Sequence, residues 1–213
     1  MGGLVKSISD SQDEILKWII QLYCPNGFDL DPTYSKGVFY KNIPGPRLKF
    51  DLNPQVEGCQ RADCTTLPLG SNSVSSIVFD PPFVGGSCKG GKPGIIKSRF
   101  GYYQNIQTAL WGMYHKALLE FHRILKPNGF LIFKCQDTID SSTQYLSHVE
   151  IINKAVSSGF YAKDLFILLA KNRLMSPNMK IQQHARKFHS YFLVFEKKQS
   201  KVQYHGIKPC GVP

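Results

Sequence analysis

Short apolar runs that close on an acid or a polar cluster recur along this chain. Phe28-Asp29-Leu30-Asp31, Leu48-Lys49-Phe50-Asp51 and Ser76-Ile77-Val78-Phe79-Asp80 are three of them, and Phe130 to Phe133 leads into Lys134-Cys135-Gln136-Asp137 as a fourth. Each run is too short for a stable helix and is bounded by turn-forming residues, so each reads as a buried strand. Between them lie segments of helical spacing. Strands alternating with helices predict an α/β protein, an open and mostly parallel sheet with helices on both faces. In such sheets ligands bind beyond the carboxyl ends of the strands. The polar strand ends therefore predict one site on one rim.

The punctuation fixes approximate boundaries. Ile15, Leu16, Ile19, Ile20 and Leu22 predict a helix over 10–23, capped by Asp10 or Ser11 and ended by Pro25-Asn26-Gly27. A long helix is expected over 106–125, stopped by Lys126-Pro127-Asn128-Gly129 before the strand 130–133. A further helix is expected over 148–158, ended by Gly159, with strands over 164–170 and 190–195. The organisation expected is one domain over 1–197, with a basic flexible loop at 84–103 and a disordered tail at 198–213.

The chain of 213 residues carries a net charge of +11, unevenly placed. Residues 84–103 hold Lys89, Lys92, Lys97 and Arg99 with no acid, and residues 171–213 hold nine Lys and Arg against Glu196 alone. The remainder is close to neutral. Two basic segments on a neutral body point to a polyanionic partner, nucleic acid before membrane, because no basic amphipathic helix is evident. No apolar run approaches the ~20 residues needed to span a bilayer. The polar start, Met1 to Gln12, lacks a signal peptide's apolar stretch, so a cytoplasmic location is expected. The six cysteines form no CxxC pair, which predicts free thiols and no metal site.

Asp80-Pro81-Pro82-Phe83 is the sharpest local signal. The lone pair of an exocyclic base amine is delocalised into the ring, so that nitrogen is a poor nucleophile. A carboxylate and a backbone carbonyl that accept its two N–H bonds return electron density to it. The prolines fix the backbone so that a carbonyl points inward, and the aromatic ring stacks on an extracted base. The tetrad thus suits methylation of adenine N6 or cytosine N4. Cys135 reads as packing, because such transfer needs no covalent bond between enzyme and base.

The residues around the tetrad carry a family resemblance. Phe28-Asp29-Leu30-Asp31-Pro32-Thr33-Tyr34-Ser35-Lys36-Gly37-Val38-Phe39 resembles the cofactor loop of S-adenosylmethionine-dependent DNA amino-methyltransferases, in a small phage and bacterial branch. Leu48-Lys49-Phe50-Asp51 resembles the second strand, whose terminal acid takes the ribose hydroxyls, and about twenty residues separate the two acids. Arg61-Ala62-Asp63-Cys64 resembles the segment that contacts the cofactor's adenine, and 125–134 resembles the fifth strand with its entry turn. His184-Ala185-Arg186-Lys187-Phe188-His189-Ser190-Tyr191 is similar to that branch's C-terminal signature.

The resemblance implies a Rossmann-like class I methyltransferase fold of the seven-stranded type, with S-adenosylmethionine as cofactor. It implies catalysis by Asp80, Pro81, Pro82 and Phe83, and cofactor contacts from Asp29, Asp31, Pro32, Thr33, Tyr34, Lys36, Gly37, Asp51, Asp63 and Cys64. Nucleic-acid contacts fall to Lys89, Lys92, Lys97, Arg99, Arg186 and Lys187. DNA is the expected substrate and adenine N6 the expected target, with cytosine N4 second, in a restriction-modification setting. An RNA base N-methyltransferase and a catalytically weak nucleic-acid-binding subunit are the alternatives. Two departures stand out: Ser35 replaces a loop glycine, and only about twenty residues separate Phe83 from the long helix. With no room there for a recognition domain, target selection falls to this loop, to the basic C-terminal part or to a protein partner.

Overall fold

Among the described residues eight strands form one sheet, and the order in which they pair divides the chain at a single point. The computed structural model describes residues 4–83, 106–140, 143–171 and 184–198. In chain order the elements are β1 (Ile8–Ser9), α1 (Gln12–Tyr23), β2 (Leu30–Asp31), a 3-10 turn (Val38–Tyr40), β3 (Leu48–Asp51), β4 (Gln60–Arg61) and β5 (Val74–Phe79). Then follow α2 (Ile106–Ile124), β6 (Leu125–Cys135), a hairpin of β7 (Thr138–Asp140) and β8 (Thr143–Tyr145), α3 (Ser147–Ser157), β9 (Phe160–Leu169) and β10 (His189–Lys197).

The order across the sheet is β1-β9-β10-β6-β5-β2-β3-β4. β2 to β6 run parallel, with Leu30 opposite Leu48 on one side and Ile77 on the other, and Phe79 opposite Phe133. β10 enters antiparallel to both β6 and β9. The mostly parallel, Rossmann-like α/β sheet expected from the sequence is the one observed. The chain builds outward from β2 through β3 to β4, then returns to the other side of β2 with β5. The switch point is therefore the crevice between the carboxyl ends of β2 and β5, where such sheets bind ligands.

Alternating side chains feed two cores. Ile77, Phe79, Leu131, Phe133, Leu193 and Phe195 join Leu118, Phe121 and Ile124 of α2 and Ile151 and Ala155 of α3 on one face. Val78, Ile132, Phe192 and Val194 join Ile15, Leu16 and Ile19 of α1 and Phe39 and Tyr40 of the 3-10 turn on the other. A period of two along strands buried on both faces produces this partition. Phe79 meets Phe121 and Phe133 edge-on, each 4.9 Å between centroids. Those contacts fix the strand that ends at Phe79, just before Asp80.

Several boundaries differ from expectation. Ser11 rather than Asp10 caps α1, its hydroxyl accepting the Glu14 amide over 3.3 Å. β6 begins at Leu125, opposite Val74, and the turn 126–129 is a bulge within it, after which Phe130 faces Ser76. β9 begins at Phe160, four residues earlier than expected, and pairs with β10 as far as Lys197. The eighth strand is β1, an edge pairing of Ile8 with Ile167 that extends the expected seven. No described helix is long and apolar enough to cross a membrane. Cys24, Cys59, Cys64 and Cys135 are free thiols. The loop 84–103, with Lys89, Lys92, Lys97 and Arg99, and the tail from 199 on lie outside the described residues.

Candidate active site

Two cavities open on the rim and meet at Thr33 and Asp51, which line both. The larger, about 410 Å³, has Asp51, Asp63 and Thr65 on its polar side and Leu52, Pro81, Pro82, Leu110 and Met113 on its apolar side. The smaller, about 150 Å³, lies between the loop after β2 and the end of β5, lined by Asp31, Tyr34, Ser35, Phe39, Asn53 and Asp80 among others. Most ligand sites share this make-up, apolar walls with a few placed polar groups.

The loop after β2 owes its shape to two carboxylates. Asp31 is 1% exposed, and its oxygens accept hydrogen bonds from the Thr33 amide at 2.7 Å, the Thr33 hydroxyl at 3.0 Å and the Tyr40 hydroxyl at 2.7 Å. Burial pushes its pKa up to about 7 against these three bonds, which act the other way, and the nearby Asp80 adds to the rise. Asp51 accepts the Ser35 amide and the Asn53 amide, each at 2.8 Å, tying the loop to the end of β3. Ser35 has φ +50°, a left-handed conformation that glycine adopts at lower cost. Its bond to Asp51 holds it there. Gly37 has φ +70°, which an L side chain adopts only with strain, and a Cβ on it would lie 2.5 Å from the Tyr34 hydroxyl oxygen and force that ring to move. Tyr34 stacks on Tyr40, with centroids 5.8 Å apart.

The tetrad closes the crevice. The Asp80 amide donates to the Thr33 hydroxyl at 3.1 Å, and the Tyr114 hydroxyl donates to the Pro82 carbonyl at 2.6 Å. The Asp80 carboxylate, 29% exposed, stands 3.5 Å from the Lys134 ammonium. Burial raises its pKa above the ordinary carboxylate value while Lys134 opposes the rise. Phe83 lies beside the same ammonium, 5.8 Å from ring centroid to Nζ.

Most expected site residues converge here. Pro32, Thr33, Asp51, Asp63, Cys64, Pro81 and Pro82 line the larger cavity; Asp31, Tyr34 and Asp80 line the smaller. Asp63 forms a tight turn, accepting the Thr65 amide and hydroxyl at 2.8 Å each. Burial pushes the Cys64 thiol up to about 12, which makes it an apolar wall rather than a nucleophile.

Asp29 and Lys36 do not join them. Asp29 accepts the Ser75 amide at 2.7 Å and stands 3.5 Å from Arg47, bonds that fasten the start of β2 to β5 and to the entry of β3. Asp29 thus makes contacts within the fold, two residues before the last residue of β2. Lys36 is exposed on the turn and lines neither cavity.

Sequence reasoning missed the wall supplied by α2: Leu110, Gly112, Met113 and Lys116. It placed Lys134 in a polar cluster at a strand end, and the structure puts that ammonium beside Asp80. Arg186 and Lys187 immediately precede β10, which begins at the rim where β6 ends, with Tyr191 opposite Cys135.

No family model and no curated protein matches the chain. Among solved structures, the (4+2) cyclase SpnF aligns with a TM-score of 0.53 at 11% identity, over 87% of this chain and 81% of SpnF. TTHA0409 from Thermus thermophilus, provisionally a DNA modification methylase and complexed with S-adenosyl-L-methionine, aligns at 0.45 and 18% identity, over 67% of this chain and 56% of its own. PvuII DNA methyltransferase, cytosine-N4-specific, aligns at 0.41 and 14% identity, over 62% of this chain and 45% of its own. The chain thus spans about half the length of these two DNA methylases. At 11% identity the likeness to SpnF is one of fold.

Proposed function

We propose that the protein methylates the exocyclic amine of a nucleic-acid base, adenine N6 in DNA before cytosine N4, using S-adenosylmethionine. The observation that carries this reading is the position of Asp80-Pro81-Pro82-Phe83. The tetrad borders both cavities at the switch point, with Asp51 and Asp63 facing the larger one.

The donor set fits the cofactor. A nucleoside needs an acceptor pair for its ribose hydroxyls, an acceptor for its base amine and apolar walls for its ring. Asp51, Asp63 and the pair Leu52 and Met113 supply these in one cavity of about 410 Å³. The smaller cavity would take the amino-acid part, against the loop that Asp31 and Asp51 organise. S-adenosylmethionine would supply an electrophilic methyl group at this junction. Asp80 would accept one N–H of the target amine and an inward carbonyl of the tetrad the other, returning electron density to that nitrogen. Tyr114 keeps the Pro82 carbonyl, and with it the turn, in place. Phe83 would stack on the flipped base, and Arg186 and Lys187 would hold the phosphate backbone without reading sequence.

Mass spectrometry of nucleosides from DNA and RNA of expressing cells tests the reading, with Asp80→Ala as control. A methylated adenine or cytosine that appears with the wild type and falls at least tenfold with Asp80→Ala is expected, equivalent to about 1.4 kcal/mol or more in the barrier. Calorimetry should show cofactor affinity within a few fold for Asp80→Ala, and a loss of roughly 1.5–3 kcal/mol for Asp51→Ala. No heat with the folded wild type would favour a binding subunit instead.

A further inference from the structure

Lys134 stands out as a cation built into the base of the site. It is 14% exposed, on the face of β6 that packs toward α1. Its ammonium donates to the Gln12 side-chain oxygen at 3.1 Å, and the Gln12 amide group donates in turn to the Phe39 carbonyl at 3.0 Å. The rings of Phe39, Phe83 and Phe192 surround it at 5.0, 5.8 and 5.7 Å. A lysine rarely occupies such a place unless a charge compensates it. The one carboxylate within ion-pair distance among the described residues is Asp80, at 3.5 Å.

We propose that Lys134 is the positioning residue of the site, holding Asp80 as an oriented carboxylate that can only accept the hydrogen bond from the substrate amine. The inference rests on the methyltransferase reading above and deepens it. A protonated Asp80 would present an O–H to the amine and leave its lone pair in the ring. The surroundings press toward that state. Burial is what raises the Asp80 pKa; Asp31 faces it from the end of β2, Tyr40 from the 3-10 turn and Tyr114 from α2, and none of these is a cation. Lys134, from β6, supplies the opposing charge. Gln12 and the three rings hold the ammonium so that it cannot swing into solvent. The proton displaced on methylation leaves the amine for water.

Lys134→Met retains the stem among the rings and removes the charge, and Lys134→Arg retains the charge. Two readouts separate the roles: the 13C titration of the Asp80 carboxyl in the free protein, and the acid limb of the kcat/KM profile. With Lys134→Met, Asp80 should titrate at least one pH unit higher, and the acid limb should move up with it. Turnover at neutral pH should fall at least tenfold and recover toward high pH, with cofactor affinity within threefold. Lys134→Arg should leave the titration within half a unit of wild type. Should Lys134→Met fail to fold, Lys134→Gln, which also removes the charge, gives the same titration. An Asp80 titration unchanged in the neutral variants overturns the proposal. Wild-type protein that methylates no nucleic acid overturns the functional reading instead, and the titration still reports whether the two residues are coupled.

Discussion

Thr33 accepts the backbone N–H of Asp80 through its hydroxyl oxygen at 3.1 Å, and donates the hydroxyl proton to Asp31 at 3.0 Å. One side chain thus joins the loop after β2 to the tetrad after β5, across the switch point of the sheet. The geometry of the two cavities depends on this join, because Thr33 lines both.

Thr33→Val keeps the shape and removes both bonds. A buried amide and a buried carboxylate lose a partner, so stability should fall by about 1–3 kcal/mol in urea denaturation. Thr33→Ser, which keeps the hydroxyl, should recover most of it. If Val and Ser variants unfold at the same urea concentration, the hydroxyl bridge does not hold the loop.

Asp31 gives a pH dependence of defined sign. Its pKa stands near 7 in the folded protein and near the ordinary carboxylate value when unfolded. Between those two values the folded state holds a proton that the unfolded state has lost, so stability from this group falls as pH rises. Asp31→Asn has no such proton. The advantage of wild type over Asp31→Asn should therefore be greater at pH 4.5 than at pH 8. A difference that is constant, or that grows with pH, would show that burial does not govern Asp31.

Lys197 closes the far end of the long helix. Its ammonium donates to the His122 and Leu125 carbonyls at 2.6 and 2.8 Å and to the Asn72 side chain at 2.9 Å. The last carbonyls of a helix have no partners within it, and a cation there also meets the negative end of the helix dipole. Lys197→Met should cost roughly 1.5–3 kcal/mol by thermal or chemical denaturation without changing cofactor affinity, since the residue lies at the end of β10 away from the rim. A variant as stable as wild type would mean that water satisfies those carbonyls equally well.

The sheet was legible where strands are long enough to show their period. Ile77 to Phe79 and Leu131 to Phe133 are buried on both faces and read as continuous apolar runs. β1 and β4 have two residues each and carry no period; they exist because an edge offers unpaired backbone groups. The hairpin of β7 and β8 was missed for the same reason. In the site, Asp31, Asp51 and Asp80 were legible because a parallel strand's last polar residue has one rim to occupy. Asp29 lines neither cavity, and Phe28-Asp29-Leu30-Asp31 places two acids on one face without saying which reaches the rim. Lys134 was visible as a cation following an apolar strand, but its partner is Asp80 on the next strand, and sequence spacing does not report that pairing. The α2 wall was hidden because Gly112, Met113 and Lys116 lie on the less apolar side of an amphipathic helix, where a cavity lining and a solvated face have the same composition.

Gly112 separates those two readings by experiment. It lies within α2, where glycine is disfavoured relative to alanine by roughly 0.8–1.0 kcal/mol. Packing does not require it, since a Cβ built there meets nothing within 4 Å. It borders the larger cavity between Leu110 and Met113, with Lys116 one turn further on. If that cavity receives the nucleoside of the cofactor, the space over Gly112 is the space its ring needs. Gly112→Ala should raise stability by up to about 1 kcal/mol and leave S-adenosylmethionine affinity within threefold. Gly112→Phe should place a ring in the cavity and weaken that affinity at least tenfold, about 1.4 kcal/mol, with the fold intact by circular dichroism. Calorimetry on the two variants reads both effects. Unchanged affinity in Gly112→Phe would remove the larger cavity as the cofactor site, and with it the roles given to Asp51 and Asp63.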